Sequence, residues 1–91
     1  MELEQLRIFV AVAEAGSFSK GARQLYISHS TTSRAVAALE DELGVLLVQR
    51  DNRVTGLTPA GQLLLADAKE ILTSVDGIRD RLQALSAEAE R

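Results

Sequence analysis

A run of hydroxyl and basic side chains from position 28 to position 34 has the residue types best suited to binding chemistry. It reads Ser-His-Ser-Thr-Thr-Ser-Arg and contains no carboxylate. Hydroxyl groups donate hydrogen bonds to phosphate oxygens and base edges, and an arginine can bind the O6 and N7 atoms of guanine with both arms of its guanidinium. The run therefore predicts non-covalent recognition of a partner that presents phosphates and hydrogen-bonding edges.

The same run does not fit a metal centre or a catalytic site. His29 is the only histidine, it has no carboxylate co-ligand in this stretch, and the sequence contains no cysteine. Neither a nucleophile–base pair nor a phosphate-binding glycine loop is visible. Glu40, Asp41 and Glu42 occupy successive positions of a predicted helix, so we expect them to point in different directions and to be solvated or salt-bridged. The sequence predicts no enzyme, no cofactor and no metal.

Charge is unevenly distributed along the chain. The 91 residues carry a formal net charge of −3, which argues at first against a nucleic-acid partner. Between Ser17 and Leu39, however, Lys20, Arg23 and Arg34 occur without any carboxylate. No apolar run approaches the roughly 20 residues that span a bilayer, and no signal sequence is recognisable, so we expect a cytoplasmic protein with no membrane role.

Three helices are predicted in the first half of the chain. Apolar side chains recur at intervals of three and four from Leu3 to Ala15, and Gly16 ends this helix. Ser17 is the expected N-cap of the second helix, and Ser28 is the expected N-cap of the third helix, which continues to Gly44. The third helix has an inner face suited to a core and a small, polar outer face. The inner face consists of Thr32, Val36, Leu39 and Leu43. The outer face consists of Ser30, Ser33, Arg34 and Ala37.

The second half of the chain predicts a small hairpin and a long helix. β-prone stretches at 45–48 and 54–57 flank a turn at 50–53, and Thr58-Pro59 is a typical helix start. The helix repeats apolar residues in heptads and is too long for so small a domain to cover, so we expect a partner helix. The alternative is a helix that folds back onto its own domain. The heptad seam consists of Leu64, Ala68, Ile71, Val75, Ile78, Leu82 and Leu85. We place the domain boundary between 1–58 and 59–91.

Short motifs between Leu3 and about Leu72 resemble, in order and spacing, the DNA-binding module of LysR-type bacterial transcription regulators. They include Phe9 to Glu14, Gly16-Ser17-Phe18, Ala22 to Leu25, Ser33-Arg34, Leu43-Gly44-Val45 and Leu57 to Gly61. The resemblance implies a mainly α fold: a winged helix-turn-helix, with a three-helix core and a small β-hairpin wing, followed by a dimerising linker helix. It also implies a homodimer through antiparallel linker helices that binds an imperfect inverted repeat of double-stranded DNA at a promoter. A tetramer is implied for the full-length protein, and RNA polymerase is a further candidate partner. The effector-binding domain of that family is absent from these 91 residues.

From the residues and the resemblance together we predict DNA contacts on the second and third helices and on the wing. The predicted side chains are Ser17, Ser28, His29, Ser30, Thr31, Ser33, Arg34, Arg50 and Arg53. Arg34 is assigned to guanine or phosphate, Arg53 to the minor groove, and Arg50 to a phosphate or structural role. Ser28-His29-Ser30 stands where the family usually has Ser-Gln-Pro or Ser-Gln-Ser, and Val48 stands where Phe is usual. We therefore expect thinner packing beneath the wing.

One alternative of a different class stays open at this point. A dimeric helical protein-interaction module without DNA specificity would also suit the acidic total charge and the heptads. It predicts no sequence-selective binding to DNA.

Overall fold

The computed structural model describes residues 1–50 and 54–89, with the side chains at positions 50, 54, 55 and 89 outside that description. The chain forms helices and one antiparallel hairpin, as the sequence predicts. The order is α1 (Leu3–Ala15), α2 (Phe18–Leu25), α3 (His29–Leu43), β1 (Val48–Arg50), β2 (Val54–Leu57) and α4 (Pro59–Ala89). The predicted fold class, mainly α with a small β-wing and a long final helix, is confirmed.

The helix boundaries are set by the capping residues that the sequence indicated. The hydroxyl of Ser17 accepts a hydrogen bond from the N–H of Lys20 at 3.0 Å, and that of Ser28 accepts one from Thr31 at 3.0 Å. Thr58 caps α4 by accepting from the N–H of Gly61, also at 3.0 Å. Each cap satisfies an N–H that has no partner within its helix, so each fixes where the helix begins.

The core lies between α1, α3 and the start of the hairpin. Phe9 and Val12 of α1 pack with Val36 and Leu39 of α3. Thr32 is fully buried in the same layer, as predicted, because its hydroxyl donates to the carbonyl of Ser28 at 2.9 Å and needs no water. Two hairpin-side residues, Leu47 and Val48, close the cluster.

The inner face of α3 is shorter than the sequence suggested. Leu43 was assigned to it, but its side chain is 39% exposed. Leu43 is the last residue of the helix, and Gly44 turns the chain away in a left-handed conformation with φ 71°. Gly16 ends α1 in the same conformation, with φ 78°. The buried stripe therefore ends at Leu39 and Glu40.

The first strand also begins later than predicted. The aliphatic stretch at 45–48 was expected to pair with 54–57, but β1 starts at Val48, which pairs with Leu57. The carbonyl groups of Leu46 and Leu47 accept instead from the hydroxyl and the N–H of Thr58, at 2.6 Å and 3.1 Å. Because these groups bond to the start of α4, they are not free to extend the sheet.

The first half of α4 packs against α1. Ala68 and Leu72 form a second buried cluster with Leu6, and Leu64 packs against both clusters. Two ion pairs hold the same helices together: Arg7 with Asp76 at 3.0 Å, and Glu14 with Lys69 at 3.1 Å. The N-terminal part of the predicted seam is therefore engaged within the chain. Ala68, which the heptad pattern assigns to a contact with a second chain, is fully buried within this chain.

A close contact between backbones lets α2 lie against α1. A Cβ atom added at Gly21 would stand 2.9 Å from the Cα and 3.0 Å from the N of Val12, which are backbone atoms that cannot rotate away. Glycine is required here because the helices could not approach so closely with any side chain present.

We expect Gly21→Ala to destabilise the protein by about 1–3 kcal/mol, because the gain in helix propensity is smaller than the cost of forcing α1 and α2 apart. The matched control is Gly77→Ala in α4, where the added Cβ meets only the flexible guanidinium of Arg81. That variant should gain about 0.5–1 kcal/mol. Urea unfolding followed by circular dichroism measures both. Equal effects at the two positions would contradict the close contact.

Candidate nucleic-acid interface

The turn between α2 and α3 places the N-terminus of α3 on the surface. The N–H of Ile27 donates to the carbonyl of Ala22 at 3.1 Å, and Tyr26 adopts a left-handed conformation with φ 58°. Tyr26 is 95% exposed, and left-handed geometry is uncommon for a residue other than glycine. Together these features bend the chain sharply enough for Ser28 to start α3 directly after α2.

The hydroxyl groups at the start of α3 form a local network with a defined direction. Ser28 accepts from the N–H of Thr31 and donates its own proton to the Thr31 hydroxyl oxygen at 2.8 Å. The proton of Ser28 is thereby used within the helix. The proton of Thr31 has no acceptor among the described residues, and the side chain is exposed, so Thr31 is the hydroxyl that can donate outwards.

The outer face of α3 is exposed and built from small or polar side chains. His29, Ser30, Thr31 and Arg34 are all exposed, while Ser33 is half-buried. Ala37 continues the same face and is also exposed. Side chains this short would allow the helix to lie deep in a groove. The sequence prediction placed these residues together, and the structure brings them onto one surface.

The imidazole of His29 is held on one side by an aromatic ring. Its centroid lies 6.0 Å from that of Phe18, with the two rings inclined at 58°. Phe18 is the first residue of α2 and His29 the first of α3, so the contact brings the two helix starts together. Ser17, the cap of α2, therefore belongs to the same end of the molecule as the outer face of α3. This contact could not be predicted from local sequence patterns, because it joins residues eleven positions apart.

Unpaired positive charge surrounds this face. Lys20, Arg23 and Arg34 are exposed, and none forms an ion pair with a residue that the structure describes. Asp41 lies about 15 Å along α3 from Thr31, beyond the distance of about 8–10 Å over which exposed charges interact in physiological salt. Lys20 and Arg23 were not among the predicted contacts, although the carboxylate-free stretch that contains them was the signal that could have found them.

Glu40 has a structural role that the sequence reading missed. We expected its carboxylate to be solvated or salt-bridged, but the residue is only 8% exposed. One carboxylate oxygen accepts from the N–H of Leu47 at 2.8 Å and from that of Val48 at 3.4 Å. Position 40 follows Val36 by four residues, so helical periodicity places it on the buried face. It links the end of α3 to the wing.

Two of the predicted DNA contacts lie outside the described residues. The side chain of Arg50 and the whole of Arg53 belong to this group, so their assignments to a phosphate and to the minor groove stay predictions. Of the wing, the structure describes the two paired strands, β1 and β2. Their pairing register shifts between Gln49, which pairs with Gly56, and Arg50, which pairs with Val54.

Comparison with known proteins identifies the family. Residues 3–62 match the family described as "Bacterial regulatory helix-turn-helix protein, lysR family". The chain belongs to that family. Among curated relatives of the LysR family, the HTH-type transcriptional activator AllS of Klebsiella pneumoniae is 45% identical over 91 residues. The alignment covers 100% of this chain but 34% of AllS, so the chain spans about a third of the length of that relative.

Solved structures of LysR-family proteins share the fold described above. The chain is similar to the protein in the CbnR DBD–DNA complex, with a TM-score of 0.87 and 42% identity over 94% of this chain and 99% of that one. It is also similar to the protein in the BenM DBD/benA site 1 DNA complex, with a TM-score of 0.87 and 39% identity over 93% of this chain and 99% of that one. The predicted resemblance is thus confirmed.

Two further properties concern the described residues only. Within 1–50 and 54–89, no group of three or more His, Cys, Asp or Glu side chains is arranged to hold a metal ion. No helix in the same ranges is both long and apolar enough to cross a membrane.

We expect Glu40→Ala to destabilise the protein by about 1–3 kcal/mol, because it leaves two buried N–H groups without an acceptor. Glu40→Gln should cost less, since the amide oxygen can still accept. The control is Asp41→Ala on the exposed side of α3, which should change stability by less than about 0.5 kcal/mol. Urea unfolding measures all three, and a Glu40→Ala variant as stable as Asp41→Ala would show that Glu40 is not a structural link.

Proposed function

We propose that this chain is the sequence-specific DNA-binding part of a bacterial LysR-type transcription regulator that acts in the cytoplasm and has no enzymatic activity. The observation that carries the proposal is the exposed outer face of α3 between positions 29 and 37, with its hydroxyls, Arg34 and no carboxylate. CbnR and BenM domains of the same fold form complexes with DNA, and the relative AllS is a transcriptional activator. These relatives support the proposal.

In the proposed complex, α3 lies in the major groove and contacts base edges. Arg34 binds guanine or a phosphate, and Thr31 donates its free hydroxyl proton. Ser30 and His29 contact the bases or phosphates next to them, and Ser33 supports the same face. Ser28 acts mainly as the cap, because its proton is already donated to Thr31.

Phosphate contacts position α3 in the groove. The first N–H groups of α2 point out beside Ser17, where a helix N-terminus attracts an anion. Lys20 and Arg23 add positive charge on the same helix, and the wing contributes Arg50 and Arg53 from its far side. Phosphate contacts of this kind fix orientation without reading sequence.

The DNA-reading unit comprises residues 1–58, and residues 59–91 provide the linker helix. The start of α4 also completes the core through Leu64 and Ala68. Beyond it, apolar side chains continue along one exposed or half-exposed stripe of α4, which we assign to an antiparallel homodimer seam. The stripe consists of Ile71, Val75, Ile78, Leu82 and Leu85. Such a dimer has twofold symmetry and therefore fits an inverted repeat.

The specific test begins with selection of a binding site from a random duplex library. On the selected site, Arg34→Ala should lose about 1–3 kcal/mol of binding free energy, because one pair of base contacts is removed, with little loss on a scrambled duplex. Arg79→Ala, an exposed arginine of α4, is the matched control and should bind both duplexes as the wild type does. Fluorescence anisotropy at one stated salt concentration measures each. Equal loss on both duplexes would contradict base reading by Arg34, and failure to select any site would favour the protein-interaction alternative.

Lys20→Ala and Arg23→Ala should weaken binding to both duplexes about equally. Each removes one cation, so the slope of log K against log salt should become shallower by about one unit per contact. Titrations over a range of salt concentrations measure the slope. A loss confined to the selected sequence would instead assign these residues to base reading.

A further inference from the structure

His29 is the side chain on the outer face of α3 that can change its charge near neutral pH. It is the first residue of α3, its side chain is exposed, and the sequence contains no other histidine. Histidine gains or loses a proton between about pH 5 and pH 8, a range in which ordinary lysine and arginine side chains stay charged. Any effect of an imidazole on DNA binding in this range therefore comes from position 29.

The contact with Phe18 restricts the imidazole without using its nitrogen atoms. The two ring centroids lie 6.0 Å apart, and the rings are inclined at 58°. Contacts of this kind are made by ring edges and faces. Neither nitrogen of His29 hydrogen-bonds to a residue that the structure describes. Both nitrogens are therefore available to a partner outside the chain, while the phenyl ring limits where the imidazole can move.

The charged groups on the helices next to the imidazole are mostly positive. Lys20 and Arg23 lie on α2, and Arg34 lies on α3. All three are exposed, and none is in an ion pair with a described residue. Tyr26, which follows α2, carries an ordinary phenol, and phenols are neutral below about pH 10. This part of the surface therefore attracts anions, and an imidazolium would add to its charge.

The carboxylates of the same helices do not offer a counter-charge at this position. Glu14, near the end of α1, is in an ion pair with Lys69 at 3.1 Å. The carboxylate of Glu40 is bonded to the wing. Asp41 follows His29 by twelve residues along α3, a rise of about 18 Å. DNA phosphates would supply negative charge that these described groups do not, so binding to DNA favours the protonated imidazole.

We propose that His29 takes up a proton when the chain binds DNA and, as an imidazolium, selects a guanine in the major groove. The inference rests on the proposed function and specifies which base position 29 reads and how binding depends on pH. Guanine presents two acceptors, N7 and O6, whereas adenine presents the N7 acceptor beside an N6 donor. An imidazolium has only donors, so it fits guanine and is repelled by the adenine N6 group. The uncharged glutamine that is usual here in the family suits adenine instead.

Selection of a binding site with two variants separates charge from shape. The wild-type chain, prepared without a histidine tag, should select guanine at one base pair of each half-site at about pH 6. His29→Lys keeps a cation at this position and should select guanine there as well. His29→Gln can both donate and accept, so it should select adenine at that base pair. The same base selected by the wild type and by His29→Gln would overturn the assignment of guanine to His29.

The dependence of affinity on pH tests proton uptake. Each chain must take a proton from the solvent, so the dissociation constant of the wild type on its selected duplex should rise at least about tenfold from pH 6 to about pH 8. His29→Gln and His29→Lys, each on its own selected duplex, should change by less than about twofold, because neither side chain titrates in this range. Fluorescence anisotropy at fixed salt measures all three. Equal dependence on pH in the wild type and His29→Gln would overturn proton uptake at His29.

Replacement of Phe18 tests its role as a positioning residue. Phe18→Leu should reduce the preference for guanine over adenine about twofold to tenfold and leave binding to a scrambled duplex within about twofold. Phe18→Tyr keeps the ring and should keep the preference. Phe18 also packs against the core, so circular dichroism is used to confirm that both variants are folded. An equal loss on the selected and scrambled duplexes would show that Phe18 has only a structural role.

Nuclear magnetic resonance of the single labelled imidazole reads its charge directly. At about pH 7.5 the ring should be protonated in the complex with the selected duplex and mostly neutral in the same chain with His29 free of DNA. A neutral ring in a complex that is still sequence-specific would overturn the inference and leave the proposed function intact. Failure to select any site would instead overturn the proposed function, and the inference with it.

Discussion

The carboxylate of Glu40 accepts hydrogen bonds from the N–H groups of Leu47 and Val48, and the relative positions of α3, the wing and α4 depend on this contact. Two buried N–H groups need an acceptor, and a carboxylate provides a stronger one than a neutral group does. On the other side of the same segment, Thr58 binds the carbonyl groups of Leu46 and Leu47. Residues 46–48 are thus hydrogen-bonded to α3 on one side and to the start of α4 on the other.

Functionally, this segment stands between the proposed DNA-reading helix and the proposed dimer helix. Its compactness depends on Gly61, where a Cβ would overlap the carbonyl oxygen of Leu47. Further along α4, the ion pairs of Arg7 with Asp76 and of Glu14 with Lys69 hold the helix against α1. The angle between α3 and α4 is therefore fixed by contacts within one chain. In a twofold dimer that angle determines how far apart the two reading helices lie.

The sequence was sufficient for features that depend on local chemistry. Serine and threonine caps set the starts of α2, α3 and α4, because a cap acts through the N–H groups two or three residues away. The polar outer face of α3 could be predicted for the same reason, since periodicity places side chains on faces of a helix. These local signals located both the helix-turn-helix and the side chains proposed to contact DNA.

Features that depend on distant partners were predicted less well. Glu40 was interpreted by its charge and its acidic neighbours, while the N–H groups that donate to its carboxylate begin seven residues further on, at Leu47. The stretch at 45–47 has the composition of a strand, yet its backbone bonds to Thr58. Ala68 fits a heptad seam, but Leu6 of α1 covers it. In each case the local sequence pattern was read correctly, but tertiary contacts determined which groups those residues bond to or pack against.

Guanine N7 methylation interference on the selected duplex tests most directly whether α3 reads base edges from the major groove. Methylated N7 atoms lie in the major groove, where they block a bidentate arginine contact. We expect interference in two symmetric half-sites for the wild-type chain, and loss of interference at one guanine of each half-site when Arg34 is replaced by alanine. Tight, sequence-selective binding with no interference at any guanine, or with an interference pattern unchanged by Arg34→Ala, would contradict it.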